Sequence, residues 1–265
     1  MNWNKTQLLA ILPQRLRMER YETVSEVRLR LGQRPRLVTV GGWHDLDGPV
    51  TEEELRFVLN AASGYSPWTA ESLGEGYLTA PGGHRIGVCS DGTAEGIRTP
   101  NSLCIRVARD VTGIAAGLPT DQSLLILGPP GSGKTTLLRD HIRQVSRKHM
   151  VSVVDERREL FPQGFSRGEN TDILSGVDKP RGIDMVLRSM GPEVIAMDEV
   201  TSIADCEALL RAAWCGVRLL ATAHADSVKD LKTRTVYRPL AEAGLFTKVV
   251  VLDKCRNWWL EEVGP

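Results

Sequence analysis

Leu124-Leu125-Ile126-Leu127 runs directly into Gly128, Pro129, Pro130, Gly131, Ser132, Gly133, Lys134, Thr135 and Thr136, and a stretch of helical character from Lys134 to about Lys148 follows. Every fixed position of G-x-x-x-x-G-K-[ST] is met, in the strand, loop and helix setting that the motif requires. Glycines let backbone N–H groups close around phosphates, and the helix N-terminus adds partial positive charge. A lysine at position 134 reaches the β- and γ-phosphates, and the Thr135 hydroxyl is a ligand for Mg²⁺. The spacing G-x-G-x-x-G does not occur, so a dinucleotide site does not compete. A second apolar run, Val194 to Met197, delivers Asp198-Glu199 to the same sheet edge. There Asp198 would hold Mg²⁺ through its water shell and Glu199 would polarise an attacking water. An acidic pair that stabilises a helix N-terminus is the other reading of these carboxylates.

Two further strand ends carry polar residues. Val151 to Val154 is followed by Asp155-Glu156-Arg157-Arg158-Glu159, and Arg218 to Thr222 by Ala223-His224-Ala225-Asp226. NTPases with a catalytic Glu beside the Mg²⁺-binding Asp place another strand between those two in the sheet, so the Asp155 cluster is also expected to face the site. A solvated, charged helix start is its alternative reading. His224 is placed to hydrogen-bond a γ-phosphate and report its loss. His44, His84, His141 and His149 are scattered and read as structural or solvated.

The elements behind these residues fall into two textures. From residue 123 onward, short apolar runs (124–127, 151–154, 194–197, 219–222, 249–252) alternate with helix-length segments, the pattern of a parallel sheet covered on both faces. Residues 1–112 read as a smaller α+β domain. It has an amphipathic stretch from Trp3 to Arg20 broken at Pro13, and alternation of Val27, Leu29 and Leu31 with Glu26, Arg28 and Arg30. A strand at Leu37 to Val40 ends at Gly41-Gly42, and a Thr51/Glu54 capping box opens a helix through about Ala62. A hairpin of Tyr77–Ala80 with 85–89 precedes a strand at Leu103 to Val107. The Gly-, Ala- and Pro-bearing stretch 113–122 reads as a linker. Trp3, Trp43, Trp68, Trp214, Trp258 and Trp259 read as core or interface packing, with Trp258 and Trp259 on opposite faces if they lie in a strand.

Composition excludes several classes. The 265 residues hold 33 Lys+Arg against 33 Asp+Glu, so no global basic field invites nucleic acid. No apolar run approaches the ~20 residues of a membrane span, which points to a cytosolic chain. Five widely spaced cysteines without a C-x-x-C pair support neither a disulfide framework nor a zinc site.

GPPGSGKTT from Gly128, VVDERREL from Val153, VIAMDEV from Val194 and ATAHADS from Ala221 together resemble the Walker A loop, acidic box, Walker B strand and His box of the secretion ATPases of type II and type IV systems and type IV pili. The likeness is closer to one branch, the stage III sporulation protein AA family. Its N-terminal pattern is similar to EVRLRLGQRP from Glu26, GYLTAPGGHRIGVCSDG from Gly76 and IRTPNSLCIRVAR from Ile97. The resemblance implies an α/β fold: a RecA-like P-loop ATPase core at 123–265, with a mostly parallel sheet and helices on both faces, preceded by the smaller α+β domain. It implies a Mg²⁺-dependent ATP hydrolase that forms a hexameric ring. Such a ring would sit in the mother-cell cytoplasm, on the membrane through partner proteins, and would power a secretion-like channel to the forespore. The nearest partner would be similar to a type II secretion platform protein. Many secretion ATPases read Glu-Asp where this chain has Asp155-Glu156, so the catalytic carboxylate is Glu199 or Glu156. Arginines acting in trans on a neighbour's nucleotide would come from Arg85, Arg98, Arg106 and Arg109, with Arg98 and Arg106 foremost. Rival readings are a nucleic-acid-binding or translocating P-loop ATPase, disfavoured by the neutral charge balance, and a scaffold that binds ATP without hydrolysis, disfavoured by the intact Lys134, Asp198 and Glu199.

Overall fold

The structure, a computed structural model, describes the chain apart from residues 1–2, 18–20, 22, 40, 66–75, 94–95, 163 and 264–265, and apart from the side chains of 3–5, 91–93 and 96–99. Trp68 and the side chains of Trp3 and Arg98 therefore lie outside the described residues. The chain divides into two units, Met1–Asp110 with Pro162–Phe165, and Val111–Phe161 with Ser166–Pro265.

The first unit contains α1 (Trp3–Ile11), β1 (Val24–Arg30), β2 (Arg36–Thr39), β3 (Gly42–Asp45), α2 (Glu52–Ser63), β4 (Tyr77–Ala80), β5 (His84–Thr93) and β6 (Gly96–Arg106). Its sheet has the order β3-β2-β1-β6-β5-β4 and all its pairings are antiparallel. One sheet face is apolar: Val27, Leu29, Leu37, Leu78, Ile86 and Ile105 share a core with Leu8, Ile11, Leu55 and Val58 of the two helices. The Thr51 box closes as expected, with Glu54 N donating to Thr51 Oγ1 at 3.3 Å and Thr51 N to Glu54 Oε2 at 3.0 Å. The interruption expected at Pro13 is present: helix α1 stops at Ile11, and Pro13, which cannot donate an N–H, precedes a single 3₁₀ turn at Gln14–Leu16. One detail differs from the sequence reading: Leu31 lies past the end of β1 and is exposed.

The second unit contains β7 (Leu124–Leu127), α3 (Lys134–Val145), β8 (Val151–Asp155), β9 (Thr171–Ser175), α4 (Lys179–Ser189), β10 (Val194–Val200), α5 (Ile203–Trp214), β11 (Arg218–Ala223), α6 (Val228–Thr233), α7 (Arg238–Glu242), β12 (Lys248–Leu252) and β13 (Trp258–Glu262). The sheet order is β13-β12-β7-β11-β10-β8-β9, parallel except for the β12–β13 edge pair. Strand residues alternate between two cores, which is why the runs are apolar throughout. Leu125, Leu127, Ile195, Met197 and Val251 pack with α4 and α5 on one face. Leu124, Ile126, Val153, Ala196 and Val250 pack with Leu137, Leu138 and Ile142 of α3 on the other. This is the α/β, RecA-like architecture, and the first unit is the smaller α+β one.

Residues 113–122 are held by the second unit. Ala115 and Leu118 are buried in its core, and Asp140 accepts hydrogen bonds from Gly113 N at 3.0 Å and Ala115 N at 2.8 Å. Trp258 joins the same core and its Nε1 donates to Ile114 O at 3.2 Å, while Trp259 is exposed. Trp43 and Trp214 are 67% and 77% exposed, so neither is core packing.

Candidate functional site

β7 is flanked by β12 and β11, and the strand lying between β7 and β10 is β11. The carboxyl end of β7 therefore opens beside the ends of β11 and β10, and β8 follows on the far side of β10. At the end of β7, Gly128 approaches its neighbours so closely that a Cβ would lie 2.7 Å from Ser132 Oγ and 2.9 Å from Leu252 O. Gly133, at φ +100°, makes the left-handed step that starts α3. The loop is thus shaped by backbone close approach.

Lys134 is buried. Its ammonium donates to Gly128 O at 2.8 Å and Pro129 O at 3.0 Å, and it lies 3.0 Å from His224 Nδ1. Burial pulls its pKa below the ordinary lysine value, against the charges of Asp198, Glu199 and Asp226. An ammonium has no acceptor, so contact with Lys134 makes His224 Nδ1 the accepting nitrogen and leaves the proton on Nε2. That nitrogen is 2.9 Å from Glu199 Oε1. A chain of polar contacts thus runs Lys134–His224–Glu199. The His224 backbone is fixed by Tyr237, whose hydroxyl accepts from His224 N at 3.1 Å.

Asp198 is bracketed by two hydroxyls: Thr135 Oγ1 donates to Oδ2 and Thr222 Oγ1 to Oδ1, each at 2.7 Å. Thr222 also accepts from Glu199 N at 2.8 Å. The β10–β11 register shifts between Met197 and Val200, and Glu199 sits at φ +48°. Strict alternation would send Asp198 and Glu199 to opposite faces; this bulge lets both carboxylates find partners at one edge. Glu199 Oε2 is also 3.4 Å from Arg157 Nη1.

The Asp155 cluster divides its work. Asp155 is buried and accepts from the N–H groups of Glu159, Leu160 and Phe161 at 2.9, 3.0 and 3.2 Å, tying back the turn that follows β8. Burial pushes its pKa up, opposed by those three donors. Glu156 lies 3.5 Å from Lys179, and a small cleft brings Glu156 and Glu159 alongside Asp198 and Glu199.

The arginines considered for trans action all belong to the first unit. Arg85 stacks over the Tyr77 ring at 4.1 Å, Arg106 is 67% exposed with its Nε 3.8 Å from Glu26, and Arg109 donates to Val24 O at 2.8 Å. His141 is fully buried, and neither ring nitrogen has a hydrogen-bond partner among the described residues; burial lowers its pKa to about 4. Arg157 belongs to the Asp155 cluster that the sequence already singled out, whereas sequence reasoning missed Thr222, Tyr237 and Lys179 as site residues. Of these only Thr222 left a signal, as a polar residue inside an otherwise apolar strand.

The profile of the family described as Sporulation stage III, protein AA matches residues 4–258. The chain is 36% identical over 258 residues to Stage III sporulation protein AA of Bacillus subtilis, covering 88% of this chain and 84% of that protein. Among solved structures, the pilus retraction motor PilT with bound ADP superposes with a TM-score of 0.64 at 16% identity, over 86% of this chain and 74% of PilT. The ATPase DotB of Legionella pneumophila gives 0.57 at 18% identity, over 86% and 72%. At these identities the two structures share the fold.

Proposed function

The chain belongs to the Sporulation stage III, protein AA family, and from that membership and the site we propose that it is a Mg²⁺-dependent ATP hydrolase working as a ring motor on a membrane-spanning channel in sporulation. The observation that carries the hydrolase reading is the convergence of Lys134 and Thr135 with Asp198, Glu199 and His224 at one sheet edge. The loop fits a polyphosphate. It has a buried Ser132 hydroxyl with no hydrogen-bond partner among the described residues and a Gly128 approach that a side chain would fill. Thr135 and Asp198 supply hard oxygen ligands of the kind Mg²⁺ takes alongside substrate phosphates, and the ion when bound would neutralise charge on the β- and γ-oxygens.

The phosphates of ATP lie against Gly128 to Thr136, with Lys134 on the β- and γ-oxygens. Glu199 orients water for in-line attack and accepts its proton. Glu156 stands behind it, across Lys179. His224 touches both Lys134 and Glu199, so a change at the γ-phosphate reaches the carboxylate through one imidazole. Arg98 and Arg106 act in trans on a neighbouring subunit's nucleotide, in a hexamer on the mother-cell side of the channel. The ring docks on a membrane partner similar to a type II secretion platform protein. No helix among the described residues is long and apolar enough to cross a membrane, which is consistent with docking through a partner.

Light scattering with and without a non-hydrolysable ATP analogue and Mg²⁺, with Lys134→Ala as control, tests the ring. Nucleotide-dependent assembly into a closed oligomer that the variant cannot form is expected. A chain that binds nucleotide and stays monomeric, alone and with the partner's cytosolic segment, would overturn the ring motor.

A further inference from the structure

Lys179 opens α4 directly after its N-cap Asp178, is 5% exposed, and belongs to none of the motifs that mark the site. Its ammonium donates to Glu199 O at 2.8 Å and Thr201 Oγ1 at 3.2 Å, and lies 3.5 Å from both Asp205 Oδ2 and Glu156 Oε2. A lysine taken out of water is tolerated when its charge is matched and its donors are used, and here every contact lies on β10, on the acidic cluster, in the turn between β10 and α5, or at the start of α5. Asp205 supplies the matching charge. Burial works against its carboxylate, but the Thr201 N–H, the Lys179 charge and the hydroxyls of Thr201 and Ser202 hold it below the usual range.

Glu199 is the reason this lysine matters. Its φ of +48° is a conformation that non-glycine residues keep only where the surroundings over-determine it. Both flanking peptide groups are clamped: the Glu199 N–H by Thr222 Oγ1 at 2.8 Å, and the Glu199 C=O by Lys179 at 2.8 Å. The two clamps fix the direction in which the carboxylate leaves the backbone.

We infer that Lys179 is a positioning residue for hydrolysis, setting where both water-orienting candidates stand by holding the Glu199 carbonyl and pairing with Glu156. The inference rests on the ATP-hydrolase reading above. Lys179 reaches no nucleotide-binding residue of the P-loop in the contacts described, so its loss should spare nucleotide affinity and act on the attacking water.

The test compares binding of ADP with binding of ADP plus aluminium fluoride and Mg²⁺, a mimic of the transferring phosphoryl group, on the full-length chain. Wild type should bind the mimic more tightly than ADP. Lys179→Met should bind ADP within about threefold of wild type and lose at least about tenfold of the extra tightness. The double variant Lys179→Met/Asp205→Asn removes the buried charge pair together and should behave the same way if the single variant folds poorly. Either variant retaining the full extra tightness, or both ligands weakening in equal proportion, would overturn the positioning role. Wild type that fails to bind ADP, or gains nothing from aluminium fluoride, would instead count against the hydrolase reading itself.

Discussion

Acidification should destabilise the second unit through His141, by an amount that follows from its burial. The folded chain keeps this imidazole neutral down to about pH 4, because burial disfavours the cation more than Asp140 favours it. In the unfolded chain the ring protonates near its ordinary value of 6.5. Between those values the unfolded state binds more protons, so stability is full above pH 6.5 and falls as pH drops toward 4. Each tenfold difference in proton affinity between the two states is worth about 1.4 kcal/mol, so the loss from this group between pH 7.5 and pH 5 is about 2 kcal/mol, reaching about 3 kcal/mol at pH 4. Other groups titrate over the same range, so the quantity to measure is the difference between wild type and His141→Leu. Urea unfolding read by pulse proteolysis of residues 111–265 reports it. The variant should be at least as stable as wild type at pH 7.5, since it removes two buried nitrogens that lack partners. It should also lose about 2 kcal/mol less on going to pH 5. Parallel pH curves for the two proteins would refute the reasoning.

Three substitutions probe how the site is held. Gly128→Ala should weaken ATP binding by about tenfold or more and cost about 1–3 kcal/mol of stability, because the new methyl meets the Leu252 backbone oxygen at 2.9 Å; isothermal titration and urea unfolding measure both effects. Thr222→Val, nearly isosteric, strands the Glu199 N–H and one oxygen of Asp198. Turnover should fall by about tenfold or more while ADP affinity stays within about threefold, as read by phosphate release and nucleotide titration. Gly182→Ala places a Cβ 2.5 Å from Val154 Cγ1, forcing α4 off β8. It should cost about 1–3 kcal/mol in urea unfolding, and Val154→Ala in the same chain should recover most of that loss.

The central strands and the loop between β7 and α3 were legible because a strand buried on both faces must be apolar along its whole length. The polar residues that interrupt such a run at its end then stand out. Asp198, Glu199 and His224 announce themselves this way. Elements at the margins do not. β9 is a sheet edge with no fully buried residue, and β3 is an edge strand whose Trp43 points into solvent; both lack the pattern that burial imposes. α3 reads as polar in sequence, yet Arg139, Asp140 and Arg143 are buried because each binds backbone groups of neighbouring loops, Arg139 at Leu160 O and Glu159 O, Arg143 at Ser166 O and Val111 O. Lys179 was invisible for a related reason. Its hydrogen-bond partners lie 20 to 26 residues further along the chain, at Glu199, Thr201 and Asp205, and Glu156, with which it also pairs, lies just past the end of β8, so only the fold brings them together.

Hydrolysis by Glu199 acting on nucleotide held at Lys134 is tested most directly by measuring phosphate release and ATP binding on the same preparations of wild type, Glu199→Gln and Lys134→Ala. Wild type should release phosphate. Glu199→Gln should bind ATP within about threefold of wild type while turnover falls by about 10² or more, and Lys134→Ala should lose binding. Turnover by Glu199→Gln at the wild-type rate, or a wild-type chain that binds ATP and releases no phosphate even with the cytosolic segment of the proposed membrane partner, would contradict the account.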